Sequence, residues 1–306
     1  MKQENKSTLY LFAIAAIWGL TFPLMKIAIV DVTPSTFTAI RFMAAAILFI
    51  PFVFFDFFKK NSLEIIGAGV VLGLINTGVY ITQAIGLKTI GSAQAAFIVG
   101  SNIILIPFLA PLFKLNKLAK TDLIAPFICL IGLFILTGSS FHFDTGELWC
   151  LLSALSVALS IVFLQFITTQ KAIRAFRLIV FYQLAFTAVV PGLLMPHHDI
   201  PHLFKFSVII PILFCALFAS NIALFVQAKY QSKVSATRAA LIYALEPVFA
   251  SVFALIINDE LITRNIFIGG CLMLFGIILH VWIENVRHQS IAPPAPSALT
   301  QPMQDE

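Results

Sequence analysis

The stretch Ser235-Ala236-Thr237-Arg238-Ala239-Ala240-Leu241-Ile242-Tyr243-Ala244-Leu245-Glu246-Pro247-Val248-Phe249-Ala250 sets one carboxylate in the middle of an apolar run spanning residues 234–257. As a helix rising about 1.5 Å per residue, a run of this length crosses the ~30 Å hydrocarbon core of a bilayer. The rest of the chain shares that solvent. Of 306 residues, 60% are hydrophobic and 11% charged, where globular proteins carry roughly 25% charged residues. The 19 basic and 14 acidic residues cannot clothe a water-soluble surface, and the mean hydropathy is +0.99. The formal charge of +5 marks no nucleic-acid partner, because the basic residues stand isolated between apolar runs and form no patch facing a row of phosphates.

Outward from residues 234–257, further apolar runs of spanning length are predicted at 8–30, 34–55, 65–86, 91–113, 121–138, 147–168, 175–195, 205–227 and 265–283, ten in all. No porin-like alternation interrupts them, so the expected fold is an all-α integral membrane protein with ten transmembrane helices. The first run follows Lys2 and Lys6, as a signal peptide would, but continues to Val30 without a small-residue cleavage site. Beyond residue 283 the composition turns to Ala, Pro, Gln and Ser, with Pro293, Pro294, Pro296 and Pro302, so residues 284–306 are expected to form a disordered cytoplasmic tail.

Basic residues in short loops stay on the cytoplasmic side. With the N terminus inside, thirteen of them (Lys2, Lys6, Lys59, Lys60, Lys114, Lys117, Lys120, Lys171, Arg174, Arg177, Lys229, Lys233 and Arg287) fall on one face and only Lys88, Lys205 and Arg264 on the other. The expected location is the plasma membrane, the inner membrane of a bacterium, with both termini cytoplasmic. Cys129, Cys150, Cys215 and Cys271 lie in or beside apolar runs without a C-x-x-C pair and read as small hydrophobes.

Sliding the chain against itself by 144 residues places Ala95-Ala96 on Ala239-Ala240, Ile98 on Ile242, Ala110 on Ala254 and Gly132 on Gly276. Polar positions inside apolar helices coincide too: Asn76-Thr77 on Ser220-Asn221, Gln83-Ala84 on Gln227-Ala228, Gln94 on Arg238, and Asn102 on Glu246. Upstream, an offset of 140 brings Ile50-Pro51 onto Val190-Pro191. The expected units are residues 8–138 and 147–283, five helices each. An odd number of spans per unit makes the second copy begin on the opposite face, so the repeats are inverted. Loop charge agrees: Lys114, Lys117 and Lys120 fill one connection, whereas its counterpart carries Asp259, Glu260 and Arg264. Inverted repeats characterise alternating-access carriers with a midplane site.

The stretch 235–241, then Leu245-Glu246-Pro247-Val248-Phe249-Ala250, Glu260-Leu261 and Gly269, resembles the second half of the EamA domain of the drug/metabolite transporter superfamily. Trp18-Gly19 with Phe22-Pro23, Lys26 and Arg41-Phe42 resembles the opening of its first half. The resemblance covers residues 8–283 and implies two EamA repeats, a central cavity within helices 1–4 and 6–9, peripheral helices 5 and 10, and export or exchange of small metabolites or amino acids. The chain departs from a symmetric pattern at Asn102, where the second repeat has Glu246, and at Asn116, where it has Glu260.

A charge inside the hydrocarbon costs about 2.5–3.5 kcal/mol on insertion scales, which makes intramembrane ionisable residues candidates for a functional cavity. Glu246 is foremost, as a ligand for a substrate amine and as the candidate for proton coupling. Arg238 and Arg41 are candidates for a substrate carboxylate. Lys26, nearer its helix end, is expected to snorkel to the interface. Asn76, Tyr80 and Gln83 fall on one helical face, and Asn221 and Gln227 repeat that stripe in the second unit. Gln94 and Asn102 mirror Arg238 and Glu246. Trp18 and Tyr243 lie deep in their spans, where an aromatic face can pack against substrate. His197, His198 and His202 stand between Pro196 and Pro201 in an outer loop, a poor frame for a metal site. No H-E-x-x-H, G-x-S-x-G or G-x-x-x-x-G-K occurs. The expectation is a carrier without cofactor or enzymatic activity, exporting a small metabolite such as an amino acid or related amine. Its partners are a small-molecule substrate and the lipid bilayer, with no nucleic acid; a homodimer is left open. The alternatives are an importer or exchanger of a larger metabolite, such as a nucleotide derivative, an S-adenosylmethionine-like compound or a vitamin, and, from another class, a non-transporting membrane subunit or intramembrane enzyme.

Overall fold

The computed structural model describes residues 2–59, 62–115, 124–136, 144–169, 175–230, 242–243 and 245–291. Its long elements are α1 (Lys2–Ala28), α2 (Pro34–Val53), α3 (Leu63–Gly86), α4 (Ser92–Gly100), α5 (Asn102–Leu109), α6 (Ile124–Leu136), α7 (Thr145–Thr169), α8 (Phe176–Leu193), α9 (Phe206–Phe214), α10 (Ala223–Tyr230), α11 (Glu246–Ile257) and α12 (Arg264–Ile291). No strand occurs among the described residues. A π-helical segment, Cys215–Ile222, joins α9 to α10 in one continuous rod. Sequence chemistry sets several ends: Thr33 caps α2 with Pro34 in the first turn, where its missing N–H costs nothing, and Ser62 caps α3.

Seven helical stretches have the length and hydropathy of membrane spans: Ser7–Ala28, Pro34–Val53, Leu63–Gly86, Ser92–Phe113, Thr145–Thr168, Phe176–Leu193 and Phe206–Tyr230. Phe127–Leu136, Glu246–Ile257 and Arg264–Gly276 are shorter apolar helices. They fall where the remaining spans are expected. One boundary needs correcting. The helix expected to end at residue 283 continues to Ile291, because the segment Glu284–Ile291 contains neither Gly nor Pro and the first breaker is Pro293.

The packing follows one pattern in both halves. Helix α3 lies against α7 and α8, while its counterpart, the α9–α10 rod, lies against α1 and α2. Helix α1 packs on α11, and α7 packs on α4 and α5. The pairs α2 with α8 and α6 with α12 join counterparts to each other, and α4 packs on α11, the counterpart of the α5 that follows it. Small residues permit these approaches. A Cβ on Gly73 would lie 2.7 Å from the Phe186 Cβ, and one on Gly269 would lie 2.6 Å from the Gly132 carbonyl.

Candidate functional site

Glu246 opens α11, with Leu245 in the capping position and Pro247 in the first turn. Pro247 has no N–H to lose there, and the helix N-terminus favours an adjacent carboxylate. By helical rise the residue lies roughly 17 Å from the C-terminal end of α11. Gly19 brings α1 against this turn: a Cβ there would lie 2.8 Å from the Glu246 carbonyl. The side chain is partly buried. Among the described residues no hydrogen-bond donor or cation pairs with its carboxylate.

Arg41 is 1% exposed on α2. Its Nε donates to the Ser220 Oγ at 3.1 Å, its guanidinium lies 4.6 Å from the Tyr80 ring centroid and 4.9 Å from that of Phe42, and its Nη2 has no partner. Tyr80 of α3 is partly buried against the Arg41 guanidinium. The π-helical segment supplies the other wall. Widening the helix there releases the Ala219 carbonyl to the Trp18 indole N–H at 3.0 Å and presents Ser220 to Arg41. The Asn221 Oδ1 is buried and unpartnered. Trp18 lies 5.6 Å from Tyr243, ring centroid to centroid, and Gln227 hydrogen-bonds the Tyr243 side chain. Residues from α1, α2, α3, the π segment, α10 and the approach to α11 thus converge on one polar centre containing a guanidinium and a carboxyl group.

The remaining candidates are dispersed. Asn76 accepts from the Ser160 Oγ of α7 at 2.9 Å, so it turns to α7 while Tyr80 turns to α2. Gln83 is buried near the C-terminal end of α3. Asn102 is the first residue of α5, as Glu246 is of α11, but its amide bonds the Val99 carbonyl one turn back. Gln94 sits within the first turn of α4, where its amide donates to Glu147 Oε1 of α7 at 2.7 Å. Arg238 lies outside the described residues. Lys26 does not run free to the interface: its ammonium donates to the Ile90 carbonyl at 2.8 Å and pairs with Glu260 at 3.4 Å.

Carboxylates tie the ends of neighbouring helices together. Asp199 accepts from the Thr33 N–H and from the Thr33 and Thr36 hydroxyls, at 2.8, 2.7 and 2.6 Å, closing the N-terminus of α2. Burial alone would raise its carboxyl, but the Thr36 and Thr33 hydrogen bonds hold it below the usual carboxylate range. Asp31 is lowered by hydrogen bonds from Lys205 and Ser207. Glu260 is lowered in the same way: burial pushes up, while Ser92 and the Lys26 charge outweigh it. Asp31 and Asp199 carry no motif, and the resemblance that includes Glu260 does not name its partners. The partners of Asp199, Asp31 and Glu260 lie 166, 174 and 168 residues away in sequence, and no local spacing reveals such pairs. The π segment is equally silent, since its counterpart on α3 carries a similar polar pair and stays α-helical.

Fold and centre together define a polytopic α-helical membrane protein with ionisable groups held inside its span region. The chain belongs to the EamA-like transporter family, whose pattern matches residues 5–138 and again 144–282. It is 28% identical over 270 residues to an uncharacterized transporter of Archaeoglobus fulgidus, covering 87% of this chain and 82% of that one. It is 24% identical over 302 residues to the uncharacterized transporter YoaV of Bacillus subtilis (strain 168), covering 92% and 99%. A protein of known crystal structure has the same fold, with a TM-score of 0.64 at 17% identity over 92% of this chain and 99% of that one.

Proposed function

We propose that this transporter is a secondary carrier that exports a small amino acid or a related amine across the plasma membrane. Transport proceeds by alternating access of two inverted repeats to the centre between α1, α2, α3, α10 and α11. The observation that carries this reading is a pair of opposite charges, Glu246 and Arg41, each without an ionic partner among the described residues. Neither charge is needed to span a bilayer, and an uncompensated charge there is costly. A zwitterion supplies both missing partners at once: its ammonium to Glu246 and its carboxylate to Arg41. Tyr80, Trp18 and Tyr243 offer aromatic faces to the remainder of the ligand. When the ligand leaves, Glu246 can accept a proton in its place, which couples export to the proton gradient.

Efflux of radiolabelled amino acids and amines from loaded proteoliposomes, with and without a pH gradient, tests the reading. Glu246→Gln is expected to lower the efflux rate at least tenfold, on the order of one charge-assisted hydrogen bond. Undiminished efflux by this variant at every pH removes Glu246 from the mechanism. Counterflow without net efflux replaces export by exchange.

A further inference from the structure

We infer that Glu260, Lys26, Ser92 and Asn258 form the latch of the outer gate, which must open whenever the centre faces the outside.

The cluster begins with an incomplete helix end. Gly91 precedes α4 and has no side chain to cap it, so the first N–H groups of α4 need an acceptor from elsewhere. Glu260 supplies it from the connection between α11 and α12. Its Oε2 accepts from the Ser92 N–H at 2.7 Å and the Ala93 N–H at 3.4 Å, and its Oε1 accepts from the Ser92 hydroxyl at 2.7 Å. The absence of a Cβ at Gly91 matters here, since one would lie 3.0 Å from the carboxylate. Lys26, in the last turn of α1, adds its charge at 3.4 Å and holds the Ile90 carbonyl. The Asn258 amide donates to the Ser92 hydroxyl at 3.2 Å, to Glu260 at 3.3 Å and to the Pro23 carbonyl at 3.4 Å. One carboxylate therefore fastens α1, α4 and the end of α11 to one another.

Those elements lead directly to the polar centre: α1 carries Trp18, α5 continues α4 from Asn102, and α11 carries Glu246. Their outer ends cannot part while the cluster is intact. The other ties have a different geometry. Asp199 joins the end of the α8 unit to the start of α2, and at the opposite ends Asp56 and Arg177 join α2 to α8 at 2.7 Å. A pair fastened at both faces moves as one body, so the Asp199 tie is not a gate.

The latch is also one-sided. Shifted by 144 residues, Glu260, Ser92 and Asn258 fall on Asn116, Ala236 and Lys114. The equivalent positions on the inner face lack the carboxylate and the hydroxyl, so the sequence does not repeat this latch there.

The latch presupposes the carrier reading but can be tested without knowing the substrate. In full-length protein with its four cysteines replaced, Asn102→Cys serves as a reporter at the start of α5. A membrane-impermeant maleimide is applied to intact cells. With the latch present, labelling is expected to be slow; in the double variant Glu260→Gln, Lys26→Met it is expected to rise about tenfold, as a rare outward state becomes common. Asp199→Asn serves as the control for general loosening and is expected to leave labelling unchanged. Equal labelling with and without the latch, in protein that elutes as one species, overturns the inference. An equal rise in the Asp199→Asn control overturns it too. If no amino acid or amine is transported but labelling behaves as expected, the substrate assignment fails and the latch stands.

Discussion

Arg41 has one neutral hydrogen bond, two aromatic neighbours and one unsatisfied nitrogen. If its role were only to fill space among rings, a substitution would affect every substrate alike. If it holds a carboxylate, Arg41→Gln should weaken transport of an amino acid and spare the matching amine. Leucine against isoamylamine and lysine against cadaverine are suitable pairs. The expected loss is roughly tenfold or more in apparent affinity for the carboxylated member, the scale of a charged hydrogen bond. Arg41→Lys should recover part of it, because a point charge cannot reproduce the fork of the guanidinium. Equal effects on both members of each pair assign Arg41 to packing. The sequence marked Glu246 and Arg41 because charges are rare in spans, but it could not show that each lacks an ionic partner among the described residues. That depends on what other helices bring to the same depth. Gln94 illustrates the limit: its sequence counterpart is Arg238, yet its position at a helix end gives it to Glu147.

At the scale of elements, spans were legible because hydropathy and length act locally, and their ends follow from Thr33-Pro34, Ser62 and Pro293. Close approaches are less local. Gly73 of α3 meets Phe186 and the Gln183 carbonyl of α8, at 2.7 and 2.9 Å from where its Cβ would stand, whereas a Cβ on Gly67 in the same helix would meet nothing within 4 Å. Gly73→Ala should therefore force α3 and α8 apart and destabilise the protein by about 1–3 kcal/mol. Gly67→Ala should be neutral or stabilising by up to about 1 kcal/mol, from helix propensity alone. Melting of detergent-solubilised protein compares the two, and equal shifts would deny the contact its importance. The π segment makes a related point. Ser220-Asn221 and Asn76-Thr77 occupy equivalent places, but only the former pair lies in a widened helix, where Ala219 and Ser220 meet Trp18 and Arg41.

For the whole molecule, the carboxylates that join helix ends respond to acid together. Asp199 and Glu260 titrate below their ordinary values of 3.8 and 4.5 in the folded protein. The stability they confer is therefore complete above those values and is lost as pH falls through the lower, folded ones. Thermal stability should be level around neutrality and fall below about pH 4. In Glu260→Gln that fall should be shallower and the neutral melting point lower. A melting curve as steep in acid for the variant as for the parent would show that other groups control acid lability.

The pairing of the helices has a further consequence for how the chain assembles. The principal neighbours of α1, α2 and α6 are α11, α8 and α12, and α3 packs on both α8 and α7, so each half completes its interior with the other and neither owns a core. Expressed alone, residues 1–140 should be cleared by proteases. Supplied as two polypeptides divided near residue 140, the halves should find each other in the membrane and restore the intact fold, measurable by co-purification. The repeat that is legible in sequence as two consecutive units behaves in space as the two partners of an obligate dimer, joined by a linker that assembly does not require.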